Sequence, residues 1–218
     1  MSAINTIDDL RLALAGLQKI DPRFIEVIAT VGEPPLRRID DGFESLVDII
    51  VSQMVSRASA DAIIARMRNN LRPYTPQGFQ QFSYETYVAQ GLSRAKIKTF
   101  RALSYALCNK ELDLDALRNL NDDKVAEALT RIKGIGPWTA EIYLLTCLGR
   151  ADIWPAGDLA LQIGVQMMCQ LPNRPSADEA RKIASNWQPW RAVAARLVWS
   201  YYAHRKNQKN NTGSTIKF

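Results

Sequence analysis

Leu129-Thr130-Arg131-Ile132-Lys133-Gly134-Ile135-Gly136-Pro137-Trp138-Thr139-Ala140-Glu141 is the stretch around which the chain is organised. A helical apolar pattern runs into Gly134-Ile135-Gly136, and Pro137 restarts it after a tight turn. The glycines permit positive φ and the close approach of another backbone. Proline suits the first helical position, where a missing N–H leaves no bond unmade. A helix that opens this way directs its unpaired N–H groups out of the turn, which makes an anion site. A DNA phosphate is a natural ligand, since it is gripped without any readout of sequence. A plain helix–helix connection with a glycine stop is the alternative, and Ile135 can pack between the two helices in either case.

Outward from this turn nearly every apolar pattern is helical, and no segment alternates as a strand does. Thr6 caps a first helix with Leu10, Leu14 and Leu17 on one face. Asp21-Pro22 opens a second, which stops near Gly32. Phe43 to about Gln53 forms a third, and a fourth begins near Ser56 or Ser59 and ends at Arg72-Pro73. A short helix is expected within Gly78–Gly91, a long one from Ser93, a short one over Leu112–Leu117 and another over Asn121–Ile132. Pro137 opens a helix to about Leu148, and Asp158 one to about Cys169. Ser176 and Glu179 have capping-box spacing for the next. Pro189 starts the last helix, which reaches about His204. The fold class read from this is all-α.

Trp154-Pro155-Ala156-Gly157-Asp158-Leu159-Ala160-Leu161 is the second informative stretch. Aspartate is a favoured N-cap, which is account enough of Asp158 on local grounds. The position also has a chemical consequence, because a helix N-terminus favours negative charge. An anionic group there suits positive charge developing on a sugar.

The 218 residues, 47% hydrophobic and 23% charged, suit a compact unit of one or two lobes. Net charge is +6, but four of those charges (Arg205, Lys206, Lys209 and Lys217) lie in an acid-free tail, so charge alone identifies no partner. Cys108, Cys147 and Cys169 are too few and too widely spaced for a disulfide framework, a zinc site or a four-cysteine iron–sulfur cluster. They read as buried thiols in a reducing compartment. No apolar run reaches membrane-spanning length, and Asp8 and Asp9 precede any basic residue, unlike a targeting peptide.

Lys133-Gly134-Ile135-Gly136-Pro137-Trp138-Thr139-Ala140, followed by Trp154-Pro155-Ala156-Gly157-Asp158, resembles the helix–hairpin–helix DNA glycosylase superfamily. Within it the chain is most similar to the 3-methyladenine DNA glycosylase II branch, over roughly Phe43 to Tyr202. The resemblance implies a two-lobed helical bundle with a cleft between lobes. Lobe one would span about 42–149, and lobe two about 1–41 plus 150–204, with 205–218 a basic, disordered tail. Asp158 would be the catalytic carboxylate, stabilising an oxocarbenium-like sugar and guiding the attacking water. Bifunctional relatives carry a lysine nucleophile at the position of Trp138, so strand-cutting chemistry has no agent here. Lys133 precedes the glycines and does not inherit that role.

By the same resemblance Trp199, in Leu197-Val198-Trp199-Ser200-Tyr201-Tyr202, lines the pocket of a flipped base, with Trp138 near its entrance. In Val51-Ser52-Gln53-Met54-Val55-Ser56, Met54 would wedge into the duplex and Gln53 would face the orphaned base or the gap. Many relatives have glutamine at the Met54 position, and a second acid at that of Gly157. Lys133, Gly134, Ile135, Gly136 and Thr139 would grip phosphate. The backbone carbonyls of Thr130, Ile132 and Ile135 would hold a structural sodium or potassium ion; no catalytic cofactor and no iron–sulfur cluster is expected. The implied function is monofunctional excision of alkylated purines (the 3-methyladenine and 7-methylguanine class) from damaged double-stranded DNA, by a monomer without membrane association. Such a protein would be cytoplasmic and nucleoid-associated in a bacterium, or nuclear in a eukaryote. Excision of deaminated or etheno purines and a non-catalytic DNA-binding role are the alternatives.

Overall fold

The computed structural model describes residues 3–213, with side chains described as far as residue 208. Among the described residues there is no strand, only an isolated bridge between Ala3 and Arg150. Ile39–Leu148 forms one compact unit, and the segments up to Arg38 and from Gly149 form the other.

The unit Ile39–Leu148 holds α3 (Phe43–Ser52), α4 (Arg57–Asn70), α5 (Pro76–Gln81), α6 (Tyr84–Ala89), α7 (Arg94–Cys108), α8 (Asp122–Thr130) and α9 (Pro137–Thr146). Most of these helices begin where a short polar side chain accepts an N–H of the first turn: Ser56, Thr75, Ser83, Ser93 and Asn121 all do so. Fully buried Phe79 centres an aromatic cluster, with ring centroids 5.0 Å from Phe43, 4.9 Å from Tyr74 and 5.6 Å from Phe100, all edge-on.

The other unit holds α1 (Ile7–Ile20), α2 (Arg23–Val31), α10 (Leu159–Met168), α11 (Ala177–Ala184) and α12 (Arg191–Gly213). Its helix α12 is buried from Ala192 to Val198, apolar there except for Arg196, and packs against α1, α2 and α10. Trp187, fully buried, meets Phe24 and Trp154 at 5.2 Å, and its indole N–H donates to Asp21 Oδ2 at 2.8 Å. Burial pushes the Asp21 carboxyl up, but hydrogen bonds from Arg23 and Trp187 outweigh it and hold the carboxyl below its usual range.

Several boundaries differ from the sequence reading. Gly78–Gly91 gives two short helices, because Ser83 caps a second start after Phe82. Leu112–Leu117 gives only a 3-10 turn over Ala116–Asn119. There the Asp113 carboxylate accepts the N–H groups of Asp115 and Ala116, at 3.0 and 3.1 Å, in competition with a regular helix. The last helix does not end near His204. It begins at Arg191 and continues to Gly213, so residues 205–213 are helical and the expectation of a disordered tail is corrected there. Arg205, Lys206, Gln208 and Lys209 are good helix formers, and no proline or glycine intervenes before Gly213. The remaining residues, 214–218, lie outside the described range.

Gly164 sets the spacing of α10 on α12. A Cβ at Gly164 would lie 2.4 Å from Val198 Cγ1 and 3.1 Å from the Val198 carbonyl oxygen. Valine in a helix has one strongly preferred rotamer, so it cannot swing away at little cost. Gly164→Ala is therefore expected to destabilise the fold by about 1–2 kcal/mol, despite the better helix propensity of alanine. A lowered urea midpoint at unchanged slope is the readout; an unchanged or raised midpoint contradicts the close-packing account.

Candidate active site

Asp158 is the N-cap of α10. Its Oδ1 accepts the Leu161 N–H at 3.0 Å and the Trp199 indole N–H at 3.1 Å, so one oxygen joins the start of α10 to α12. Asp158 is half-buried. Trp199 is also half-buried, and the Arg37 guanidinium lies 5.9 Å from its ring centroid, a cation–π distance. One turn before Trp199 on α12, buried Arg196 donates to the carbonyls of Leu36 and Ala192, at 2.9 and 3.0 Å. Its burial, with Arg38 and Arg37 nearby, pushes the guanidinium down to about 10, which leaves it charged at neutral pH. Arg37 and Arg196 have no role in the sequence reading. The adjacent Arg37-Arg38 pair after Pro34-Pro35, and an arginine inside an apolar helical run, are the signals that mark them.

In the other unit, α8 and α9 flank the glycine turn. Gly134 has φ +93, and a Cβ there would fall 1.9 Å from Thr99 Oγ1 on α7, so only glycine fits. Gly136, at φ −98, needs no such freedom; it is the N-cap of α9, where no side chain caps and Pro137 has no N–H to satisfy. The sequence reading assigns both glycines one role, and the structure separates them. Ile135 is buried beneath the turn, while Lys133 is exposed beside it. Trp138 is half-buried in the first turn of α9.

Met54 follows the end of α3 with φ 56 and a fully exposed side chain. Non-glycine residues in this region cost roughly 1–3 kcal/mol, and persist where their surroundings fix them. Gln53 is half-buried. Its Nε2 donates to the Gly134 carbonyl at 3.1 Å and to Thr139 Oγ1 at 2.8 Å, which places its side chain on the hairpin. Thr139 is buried and receives this bond. Lys96, another residue the sequence reading passes over, donates from Nζ to the Val51 carbonyl at 2.7 Å. A lysine on the buried stripe of α7 is its signal; burial pushes its ammonium down.

No group of three or more histidine, cysteine or acidic residues suited to a metal occurs among the described residues. The three cysteines are free thiols; Cys147 is buried, and Cys108 and Cys169 are partly so. The hairpin carbonyls offer hard oxygen donors of the kind an alkali cation takes. Ile132 accepts the Ile135 N–H at 3.0 Å, and among the described residues no backbone N–H outside the helices donates to the carbonyls of Thr130 or Ile135.

Known proteins are similar to this chain in sequence and fold. The chain is 28% identical over 208 residues to the alkylbase DNA glycosidase-like protein mag2 of Schizosaccharomyces pombe, covering 92% of this chain and 98% of that protein. It is 26% identical over 200 residues to DNA-3-methyladenine glycosylase 1 of the same organism, covering 90% and 88%. The solved structure of S. pombe 3-methyladenine DNA glycosylase Mag1 in complex with abasic DNA superposes with TM-score 0.82 at 28% identity, covering 86% of this chain and 95% of that one. These matches, with the all-helical fold, show homology to the 3-methyladenine DNA glycosylase II branch of the helix–hairpin–helix DNA glycosylase superfamily. A second glycosylase of the branch, DNA-3-methyladenine glycosidase of Bacillus halodurans, matches with TM-score 0.76 at 27% identity, over 95% of this chain and 94% of that one. No protein-family model matches the chain.

In this glycosylase the dual role of Asp158 can be dissected. Asp158→Ala removes the cap and the indole acceptor together, and should cost about 1–2 kcal/mol of stability. Asp158→Asn keeps an acceptor oxygen and should stay within about 0.5 kcal/mol of wild type. Chemical denaturation of both variants checks this, and equal losses for the two would contradict the cap geometry.

Proposed function

We propose that the chain is a monofunctional DNA glycosylase that hydrolyses the N-glycosidic bond of alkylated purines, of the 3-methyladenine and 7-methylguanine class, in double-stranded DNA. It would start base excision repair and act as a monomer. The carrying observation is the Asp158 carboxylate, held at Oδ1 by the Leu161 N–H and the Trp199 indole in a chain of this superfamily.

An N-alkylated purine attached to deoxyribose is already a cation. When its C1′–N bond breaks, the bonding pair leaves with the base, which departs neutral, and the sugar becomes an oxocarbenium ion. A fixed carboxylate beside C1′ stabilises that charge as it appears, and electrostatic stabilisation of this kind usually contributes most to catalysis. Water then adds to C1′ and loses a proton, completing the hydrolysis. Trp199 would serve twice, holding Asp158 by its N–H and offering the ring face away from Arg37 to a flipped base, with Trp138 near the pocket entrance. Trp138 has no amine, so no Schiff base forms and the strand is left intact.

Met54 would fill the hole left by the extruded nucleotide. Lys133, Gly134, Ile135, Gly136 and Thr139 would form the hairpin that takes the phosphate backbone, as the N-terminus of α9 suits it to do. The carbonyls of Thr130, Ile132 and Ile135 would hold a sodium or potassium ion, which supplies positive charge to the same phosphate.

The test is base release from methylated duplex DNA. Wild type should liberate 3-methyladenine or 7-methylguanine and leave abasic sites without nicks. Asp158→Asn should lose at least about 10²-fold in single-turnover rate, the loss typical of removing an electrostatic stabiliser, while still binding an abasic duplex. Absence of any released base from wild type, or full activity in Asp158→Asn, overturns the reading. Strand scission by the wild type would overturn its monofunctional part.

A further inference from the structure

Met54 is the most exposed apolar side chain in the chain's described range, carried on a strained, left-handed residue at the end of a helix. Something must hold that turn while the side chain meets DNA. Two side chains do. From one side Lys96 on α7 donates to the Val51 carbonyl, an oxygen in the last turn of α3 that has no partner further along its own helix. From the other, Gln53, adjacent to Met54, spends both hydrogens of its amide on the hairpin, one on Gly134 and one on Thr139. Because the Gly134 carbonyl can only accept, the amide has one orientation. Thr99 of α7 closes the ring by abutting Gly134 so tightly that no Cβ fits between. The turn, the hairpin and α7 are thus joined pairwise, all within Ile39–Leu148.

We infer that Gln53 is a positioning residue that ties the Met54 turn to the phosphate-gripping hairpin, so that insertion into the duplex and capture of its backbone occur as one event. This rests on the wedge and hairpin roles proposed above, and it differs from a Gln53 that reads the orphaned base. A gap-facing glutamine would have to leave Gly134 and Thr139, uncoupling the two elements at the moment both engage DNA. In its observed place it transmits position instead. The hairpin grips any duplex, damaged or not, whereas the wedge gains only where a nucleotide has left the stack. Coupling the two converts a general grip into a preference for lesions.

Gln53→Met keeps the length and bulk of the side chain and removes its donors. Affinity for a duplex with a tetrahydrofuran abasic analogue and for the undamaged duplex would be measured for wild type, Gln53→Met, Met54→Ala and the double variant. A 2-aminopurine beside the lesion reports insertion, and thermal melting reports the fold; Gln53→Ala provides a second variant if Gln53→Met fails to fold. Each single variant should lower the abasic-over-undamaged preference by about tenfold, equivalent to about 1.4 kcal/mol. The double variant should lose no more than either single one, and binding to undamaged DNA should hold within about twofold. Losses that multiply, an equal loss on undamaged DNA, or a loss by Gln53→Met that depends on the base opposite the lesion overturns the coupling. If Met54→Ala lowers the preference and Gln53→Met does not, the coupling alone fails. If Met54→Ala leaves the preference intact, the wedge reading fails and takes the coupling with it.

Discussion

A carboxylate oxygen shared between a helix N-terminus and an indole organises one unit of the molecule. Asp158 Oδ1 ends the approach to α10 and fixes Trp199 on α12. Both bonds come from groups that only donate, so the site is complementary to an acceptor. The distance between the donors is set in turn by Gly164, where α10 meets Val198 with no room for a side chain. A larger residue at 164 would push the helices apart and open the Asp158–Trp199 bond from a distance. The geometry around Asp158 is therefore a packing result, and the cap that holds the start of α10 and the anion that the proposed chemistry needs are the same group.

The other unit solves a different problem, which is to present an apolar side chain to water without letting it collapse onto the protein. Hydrophobic burial favours folding Met54 back, and the left-handed backbone at Met54 adds strain. What opposes both is a polar frame: Lys96 under the end of α3, Gln53 across to the hairpin, and Thr99 against Gly134. The Lys96 bond is buried and the Gln53–Thr139 bond partly so, and a partner lost there costs more than an exposed bond gains. An exposed methionine with a well-bonded base is unlike a stray surface apolar residue, which needs no such support.

What the sequence discloses follows from how local each feature is. Thr6, Ser56, Ser93, Asn121, Asp158 and Ser176 all cap the helices assigned to them, because an N-cap acts on N–H groups two or three residues away. The glycine turn and Pro137 are local in the same sense. Gln53 is legible only from its place in a family motif, because its partners lie on the far side of the unit in sequence and nothing near residue 53 names them. Arg37 and Lys96 leave a local mark in the sequence but not their partners, Trp199 and Val51, which lie far off along the chain. The short segment after Leu112 shows the converse, with one aspartate side chain overriding an apolar pattern by capturing two backbone donors. The last helix outruns its expected end because a polar, basic run reads as unstructured, although Arg205, Lys206, Gln208 and Lys209 within it favour helix once α12 is nucleated by a buried face.

The donors around Asp158 bear on the choice of substrate. An amide N–H and an indole N–H stabilise an anion but release no proton near neutral pH. Arg196, one turn before Trp199 on α12, stays charged at neutral pH as well. Departure of a neutral purine calls for protonation of the base as the bond breaks, and that step has no agent in this set. A base that carries its positive charge from alkylation leaves without one. It also gains from an electron-rich ring face, provided it avoids the face that Arg37 already occupies. The chemistry of the site and the charge of the lesion are matched on this account, with a fixed anion for the sugar, an aromatic surface for the base, and the missing acid supplied by the damage itself.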